Sequence, residues 1–470
     1  MPSEATFSGF VTPAEARRRR YLYLPLTVPP GTGRIEVSYR FDSPLDAPLG
    51  LGYGNVVDIG IFDPRGTGFP QAPGFRGWSG SARREFFIEG QRATPGYLPG
   101  PIYPGVWHIV LGFARVQEPG VSYQVAVRLS SEGAPPHQPP AAGAPPVPAA
   151  LPGDRYLRGD LHCHSYHSDG ENTVEELALT ALERGLDFLA ITDHNTCAHL
   201  PELEALGHLP LLLLPGEEVT TYWGHANVWG LRRLADFRCS DADSLRSLQR
   251  AVLEEGGLIS INHPKGTGSP WLFPLWEGFA CLEVWQGPWG LYNWESLERW
   301  DSLLCAGQRI VAVGGSDTHS LRRSARHPLA LGHPTTWVYV RGPATPEALL
   351  EGIRQGDVFV SFGPEGPQLF LQADADGDGS YEARMGQRAA PRGRSLPLRV
   401  EVRGGAGRRL WLVQDGRYVE AVTVPTDHYV HATTLTVAGP GYVRAELREP
   451  DETVWALTNP IWLDRGESAG

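Results

Sequence analysis

DLHCHSYHSDG, residues 160–170, places three histidines and two aspartates in eleven consecutive positions. His162 and His164 are two apart, so on a strand both point to one face while Leu161 and Cys163 point to the other. Asp169 follows on a loop that can fold back over the pair. A lone histidine on a strand is most often a satisfied packing residue. Here further polar groups recur downstream: DH at 193–194, GEE at 216–218, GHAN at 224–227, NHP at 262–264 and SDTH at 316–319. Buried histidines and carboxylates in such number require metal ions or protons to offset their desolvation. The stretch is read as the start of a metal site.

Around it, strand-like and helical segments alternate. DFLAITD (187–193), LLLLPGEEVT (211–220), HANVWGL (225–231), GLISINHP (257–264), CLEVWQG (281–287) and RIVAVGGSD (309–317) are strand-like. Helical TVEELALTALERG (173–185), DADSLRSLQRAVLEEGG (241–257), WESLERWDSLLCAG (294–307) and TPEALLEGIRQG (345–356) lie before, between and after them. Such β/α alternation favours parallel strands, open or closed into a barrel. Thr173 and Glu176 have the spacing of a helix capping box. His194, Glu218, His263 and Asp317 each fall at or just past the C-terminal end of an apolar strand, the edge that hosts active sites in β/α folds.

At 470 residues the chain exceeds one ordinary core, since domains run about 100–200 residues. Residues 132–152 are rich in proline and alanine and read as an extended linker, expected to be the segment most open to proteases. Before it, RIEVSYRF, VVDIGIF, REFFIEG, VWHIVLGF and VSYQVAVRL alternate between Gly and Pro turns, the pattern of a β-sandwich over residues 1–131. LPLRVEVRG, RRLWLVQDG, TTLTVAG and GYVRAELRE return to that texture in 366–470, leaving 153–365 as the α/β domain. No apolar run approaches the roughly 20 residues of a membrane span, so no membrane partner is expected. The N-terminus lacks a charged-then-apolar leader, and Arg17 to Arg20 precede a strand-like, proline-broken run, so no signal peptide is expected. Five cysteines without CxxC spacing argue against a disulfide framework and for the cytoplasm. A net charge of −12 argues against coating long nucleic acid.

DLHCHSYHSDG, AITDHN, PGEEVT with GHANVWG, INHP and GGSDTH, in this order over about residues 153–365, resemble the PHP (polymerase and histidinol phosphatase) superfamily of metal-dependent hydrolases. The flanking β segments, with GWSG (77–80), ATPGYLPGP (93–101) and PGVW (104–107), resemble its carbaryl-hydrolase-like CehA/McbA branch. The resemblance implies an α/β fold: a distorted (β/α)7 barrel flanked by N-terminal and C-terminal β-sandwich-like domains. It also implies nine ligands. One ion would take His162, His164, Glu218 and Asp317; a second Glu218, His225 and His263; a third Asp169, His194 and His319. Glu218 rather than Glu217 fits the family's glycine, any residue, glutamate pattern and would bridge. Asp193 would orient a ligand or a water. His167 has no matching role and is expected to be an exposed loop residue.

Two or three divalent ions follow, with mixed His and carboxylate ligation suiting Zn, Mn or Fe. Ions about 3.5–4 Å apart can share a hydroxide and clamp the attacking and leaving oxygens of a displacement. Three ligand carboxylates leave such a pocket net positive, which favours a small anionic substrate and a phosphoester above all: small phosphate esters, nucleotides or short oligonucleotide ends. Lys265, the only lysine among 41 basic residues, follows His263 by two positions and is a candidate contact for substrate, with a solvated loop residue as the plain alternative. Arg322 and Arg323 are weaker candidates for the same task, and His319 doubles as ligand and catalytic candidate. Residues 269–300 hold six of the fourteen tryptophans. Lining the pocket, they would favour an aromatic carboxylester or carbamate; packing the barrel against a β domain is the ordinary role. A carbohydrate- or protein-binding protein with a structural metal core is the alternative of another class. DADGDG (374–379) begins like a calcium loop, but Met385 stands where the bidentate glutamate would be, which favours a turn. Association into a homo-oligomer through the β domains is compatible with this plan.

Overall fold

The computed structural model describes residues 3–45, 53–131, 153–322, 329–391 and 393–464. The expected linker 132–152 and Arg323 lie outside the described residues. The result is a mixed, strand-rich α/β protein. Its N-terminal runs pair antiparallel into two four-stranded sheets. One orders Ser3–Val11, Val121–Ser130, Arg34–Phe41 and Glu85–Glu89; the other orders Tyr21–Val28, Gly105–Arg115, Val56–Phe62 and Phe75–Gly80. Alternation puts Ile35, Val37, Val125 and Val127 of the first against Ile59, Ile61, Ile109 and Leu111 of the second in one apolar core.

The central strands run side by side in the order Val311–Gly315, Cys281–Gln286, Leu258–Ile261, Gly224–Trp229, Leu212–Thr221, Phe188–Ile191, Arg155–Asp160, Thr335–Val340 and Val358–Ser361. Two runs are parallel, as β/α alternation requires: Arg155–Asp160 through Leu212–Thr221, and Leu258–Ile261 through Val311–Gly315. The expectation of parallel strands is corrected at Gly224–Trp229, which is antiparallel to both neighbours, as is Thr335–Val340, a strand the sequence pattern did not single out. At the first, only Tyr222 and Trp223 separate the paired ends Thr221 and Gly224, too few for a crossover helix. Side chains also curl the sheet. Thr336 Oγ1 accepts from Gly314 N (2.8 Å) and donates to Gly314 O (2.7 Å). Asn459 accepts from Ala312 N (2.8 Å) and donates to Ala312 O (2.9 Å) and Val358 O (3.0 Å).

Strand pairing crosses the boundary expected at residues 365 and 366. Val358–Ser361 pairs antiparallel with Val454–Thr458, and the sheet continues through Gly441–Arg448, Arg409–Gln414 and Arg417–Thr423. A separate sheet orders Ala383–Arg384, Gln368–Ala373, Ser395–Arg403 and His428–Thr436, and its core includes Trp337 and Phe359 of the central strands. DADGDG is a turn: Asp374 accepts from Gly377 N (2.7 Å) and Gly379 N (2.9 Å), and Met385 is buried. The helix Val174–Glu183 begins with the Thr173–Glu176 capping box and buries Val174, Leu177, Ala178 and Ala181. All five cysteines are free thiols. Among the described residues no helix is long and apolar enough to cross a membrane.

Candidate metal centre

The strand Arg155–Asp160 ends on a buried carboxylate that ties three loop starts together. Asp160 accepts from His162 N (3.1 Å), Ser316 N (3.0 Å) and Gly332 N (2.7 Å). This brings the His162 loop against the strand Val311–Gly315, and the approach is close: a Cβ on Gly315 would lie 2.3 Å from His162 Cβ. His162 Nδ1 meets Glu283 Oε1 at 2.8 Å, while Glu283 Oε2 accepts from His263 N at 2.9 Å. One buried carboxylate therefore sets the ring orientation of one histidine and the backbone of another.

The free faces of these rings converge on Glu218, whose side chain is 1% exposed. Glu218 Oε1 lies 3.4 Å from His162 Nε2 and 3.2 Å from both His225 Nδ1 and His263 Nε2; Oε2 lies 2.9 Å from His194 Nδ1 and 3.5 Å from His164 Nε2. Asp317 Oδ1 stands 3.0 Å from His164 Nε2 and 3.3 Å from His162 Nε2. Asp169 Oδ1 stands 3.3 Å from His319 Nε2 and 3.6 Å from His194 Nε2. Three sets of donor atoms at this site lie within 4.8 Å of one another, as do Asp374, Asp376 and Glu382 around the DADGDG segment; the three are His162, His164, Glu218 and Asp317; His164, Asp169, His194 and His319; and His194, Glu218 and His225. The first is the expected quartet. The second adds His164 to the expected trio, and the third groups His225 with His194, while His263 meets the same Glu218 oxygen as His225.

Whether metal ions fit can be judged from the donors themselves. His162 Nε2 and Glu218 Oε2 are buried and without a hydrogen-bond partner, although both sit at the centre of the cluster. Divalent cations satisfy such atoms. Backbone strain marks the same place: His263 and Asp317 have φ of +29° and +54°. Non-glycine residues hold such values, at about 1–3 kcal/mol each, only where neighbours over-determine them. Glu283 does so for His263, and Gln286 Nε2, donating to Asp317 Oδ2 at 2.8 Å, does so for Asp317.

Titration follows the crowding of charge. Burial opposes ionisation of Glu218, yet His162, His194 and His225 hold its carboxyl well below the usual range. Burial likewise opposes charge on His194 and His319, but Asp169 with Glu218 pushes the first up to about 9, and Asp169 with Asp317 pushes the second up to about 10. Burial, with His319 and His194 beside it, pushes His164 down to about 4. Raised histidines stabilise the metal-free fold fully below their unfolded value of about 6.5 and lose that contribution as pH rises through about 9 and 10. The chelated protein is therefore expected to melt at a lower temperature near pH 10 than near pH 6.5. Bound metal, which takes neutral histidines, should remove the difference. Thermal melts of chelated and metal-loaded protein check this, and equal stability of the chelated protein at both pH values would contradict it.

Other expected residues fall differently. Asp193 is fully buried and touches the loop rather than the ligands: it accepts from Ser165 N (2.7 Å), Ser165 Oγ (2.6 Å) and Ser168 Oγ (2.7 Å) and pairs with His199 (3.1 Å). His167 is not an exposed loop residue. It is 7% exposed, its Nδ1 accepting from Gly96 N (3.3 Å) and its Nε2 against Glu202 (2.9 Å), because the N-terminal sandwich covers it. The reading of Lys265 as a solvated loop residue is likewise corrected. The side chain is buried, its ammonium donates to Gln286 Oε1 (2.6 Å) and Asn293 Oδ1 (3.2 Å), and burial pushes it down to about 8. Arg322 is exposed, with its charge near Glu176. Trp271, Trp285 and Trp300 are buried in the core, Trp294 is exposed, and Trp271 and Trp276 line a cleft of about 430 Å³ with Lys265 and Arg299. Sequence reasoning missed Asp160, Glu283 and Gln286. Glu283 had one signal, a lone carboxylate inside the apolar run CLEVW.

Residues 160–226 match the PHP domain. The match takes in His162, His164, Asp169, His194, Glu218 and His225. Over 68 residues the chain is 46% identical to the 5'-3' exoribonuclease Rnm of Salmonella typhimurium, 14% of this chain and 23% of that protein. Over 65 residues it is 42% identical to a 5'-3' exoribonuclease of Haemophilus influenzae, 14% of this chain and 24% of the relative. Over 64 residues it is 42% identical to the phosphoribosyl 1,2-cyclic phosphate 1,2-diphosphodiesterase of Eggerthella lenta, 13% of this chain and 24% of the relative. The chain thus spans about a quarter of the length of these curated relatives. Among solved structures it is similar to a two-domain Bacteroides vulgatus protein containing a predicted PHP-like metal-dependent phosphoesterase, at TM-score 0.38 and 16% identity, covering 67% of this chain and 97% of that one.

Proposed function

We propose that this protein is a metal-dependent phosphoesterase that acts on small phosphate esters or on nucleotides and short oligonucleotide ends. In this reading His162, His164, Asp169, His194, Glu218, His225, His263, Asp317 and His319 hold two or three divalent ions, Zn, Mn or Fe, on a curled sheet of the distorted barrel type. The observation that carries it is the convergence of five imidazoles on the buried carboxylate of Glu218, where His162 Nε2 and Glu218 Oε2 make no hydrogen bond. When bound, divalent ions supply a water of lowered pKa and positive charge for phosphoryl oxygens.

The chain's own residues do the rest. Glu283 and Asp160 fix the rings and loops that hold the donors. Asp169 is 42% exposed and His319 24%, so the cluster opens to solvent on their side, and a phosphoryl group would enter there. Lys265 acts through Gln286 on Asp317. Lys265→Ala is expected to keep the metals yet lower kcat/KM by one to two orders of magnitude, about 1.4–3 kcal/mol. Lys265→Arg should not restore it, since a planar fork does not fill the place of a compact ammonium. Steady-state kinetics with metal analysis check this, and wild-type kinetics in both variants would exclude the role.

A second reading, hydrolysis of an aromatic carboxylester or carbamate, is favoured by the cleft beside Lys265 with Trp271 and Trp276 in its wall. One panel separates the two: aryl phosphomonoesters, phosphodiesters, 3',5'-bisphosphonucleotides, aryl esters and carbamates, each with Mn- and Zn-loaded protein. Turnover of phosphoesters is the expected result; turnover of neutral esters alone would replace the first reading by the second.

A further inference from the structure

The N-terminal sandwich reaches into the loop that carries Asp169. Arg83 lies in the turn between the strands Phe75–Gly80 and Glu85–Glu89, and its guanidinium crosses to the metal loop: Nη1 donates to Ser168 O at 2.7 Å and Nη2 to Tyr166 O. Between those two carbonyls, His167 Nδ1 accepts from Gly96 N at 3.3 Å. Gly96 has φ +89°, and a Cβ there would lie 2.4 Å from His167 O, so the two backbones meet too closely for any side chain. Gly96 O in turn accepts from Thr196 Oγ1 at 3.0 Å, two residues past His194. On its other sides the loop is held by Asp193, through Ser165 and Ser168, and by Glu202, through Tyr166 and His167. Among the nine proposed ligands, Asp169 comes from this loop, and its side chain, 42% exposed against 24% for His319 and 23% for His194, has little packing of its own to fix it. Its position depends on the backbone just before it.

We propose that the sandwich is a working part of the metal centre: Arg83, a positioning residue, fixes the backbone of residues 166–168 so that Asp169 stays within reach of His194 and His319, and so sets the affinity of the ion those three hold. The inference rests on the reading of these residues as metal ligands. A bidentate guanidinium suits the task because its fork spans two carbonyls at once. The sandwich thereby acts on the ion of Asp169: the bonds of Arg83 fall on residues 166 and 168 and not on His162, Glu218 or Asp317.

The test is a Mn(II) titration of chelated full-length protein, read by calorimetry and by elemental analysis after dialysis, for the wild type, Asp169→Asn, Arg83→Ala and Arg83→Lys. Asp169→Asn should abolish one equivalent. Arg83→Ala should weaken that same equivalent about ten- to hundredfold, the usual effect of removing a support behind a ligand, with the others at wild-type affinity. Arg83→Lys, which keeps the charge but not the fork, should fall between. Equal binding in Arg83→Ala and wild type, a uniform weakening of every equivalent, or a wild type with no equivalent sensitive to Asp169 would each overturn the proposal. The titration contains no substrate, so a protein inactive on phosphoesters that behaves this way leaves the inference standing.

Discussion

Glu218→Gln is expected to abolish hydrolysis and to strip most of the bound metal. Both oxygens of this carboxylate face imidazoles, His162, His225 and His263 on one side and His164 and His194 on the other, at 2.9 to 3.5 Å. An amide keeps the shape but removes the only negative charge that all five share, and it turns a donor NH2 towards ring nitrogens that must be free to bind cations. Loss of a shared ligand removes the stabilisation of both ions it touches, so kcat/KM should fall by at least about 10³-fold, ~4 kcal/mol. The neighbouring Glu217 supplies the contrast. It is buried, burial pushes its carboxyl well up, and one oxygen accepts from Ala235 N at 2.7 Å on the far side of the strand. Glu217→Gln should therefore bind metal as the wild type does. Metal analysis and kinetics on the two variants check the pair, and the reverse result would assign the ligand to Glu217.

Exhaustive chelation should have an effect of similar size. Without cations the centre relies on carboxylates and histidines whose charges must balance one another, with His162 Nε2 and Glu218 Oε2 buried and making no hydrogen bond. Activity should fall to background and return on addition of Mn or Zn. The fold should also lose stability, because a ligand held at 1,000 times its Kd adds about 4 kcal/mol, enough to move a melting temperature by several degrees. Turnover that survives chelation would exclude a metal-dependent reaction, and an unchanged melting temperature would exclude tight binding in the native state.

Much of this site was legible in the sequence because its donors sit where apolar strands end, and strand ends are local features. His194, Glu218, His263 and Asp317 announce themselves as polar residues that interrupt apolar runs. The supports were harder to see. Asp160 opens the quoted motif, but nothing local marks it as a support, and only the fold shows three backbone donors meeting it. His167, set among Ser165, Tyr166, Ser168 and Asp169, has the local signature of an exposed loop, and what buries it comes from Gly96, 71 residues away. Lys265 stood out by composition alone, yet its partners Gln286 and Asn293 come from another strand and the helix after it. The antiparallel insertion at Gly224–Trp229 was in principle readable from the short Tyr222–Trp223 turn, but periodicity gives strands without directions. Likewise, texture marked residues 366–470 as β-rich, whereas the pairing of Val358–Ser361 with Val454–Thr458 joins segments distant in sequence.

These nine side chains are expected to hold several ions together. Elemental analysis of purified protein, before and after reconstitution with Mn or Zn and removal of free metal, measures that directly. Two or three equivalents per chain is the result the geometry predicts, because three groups of donor atoms share Glu218, His164 and His194. One equivalent or fewer after reconstitution would contradict it.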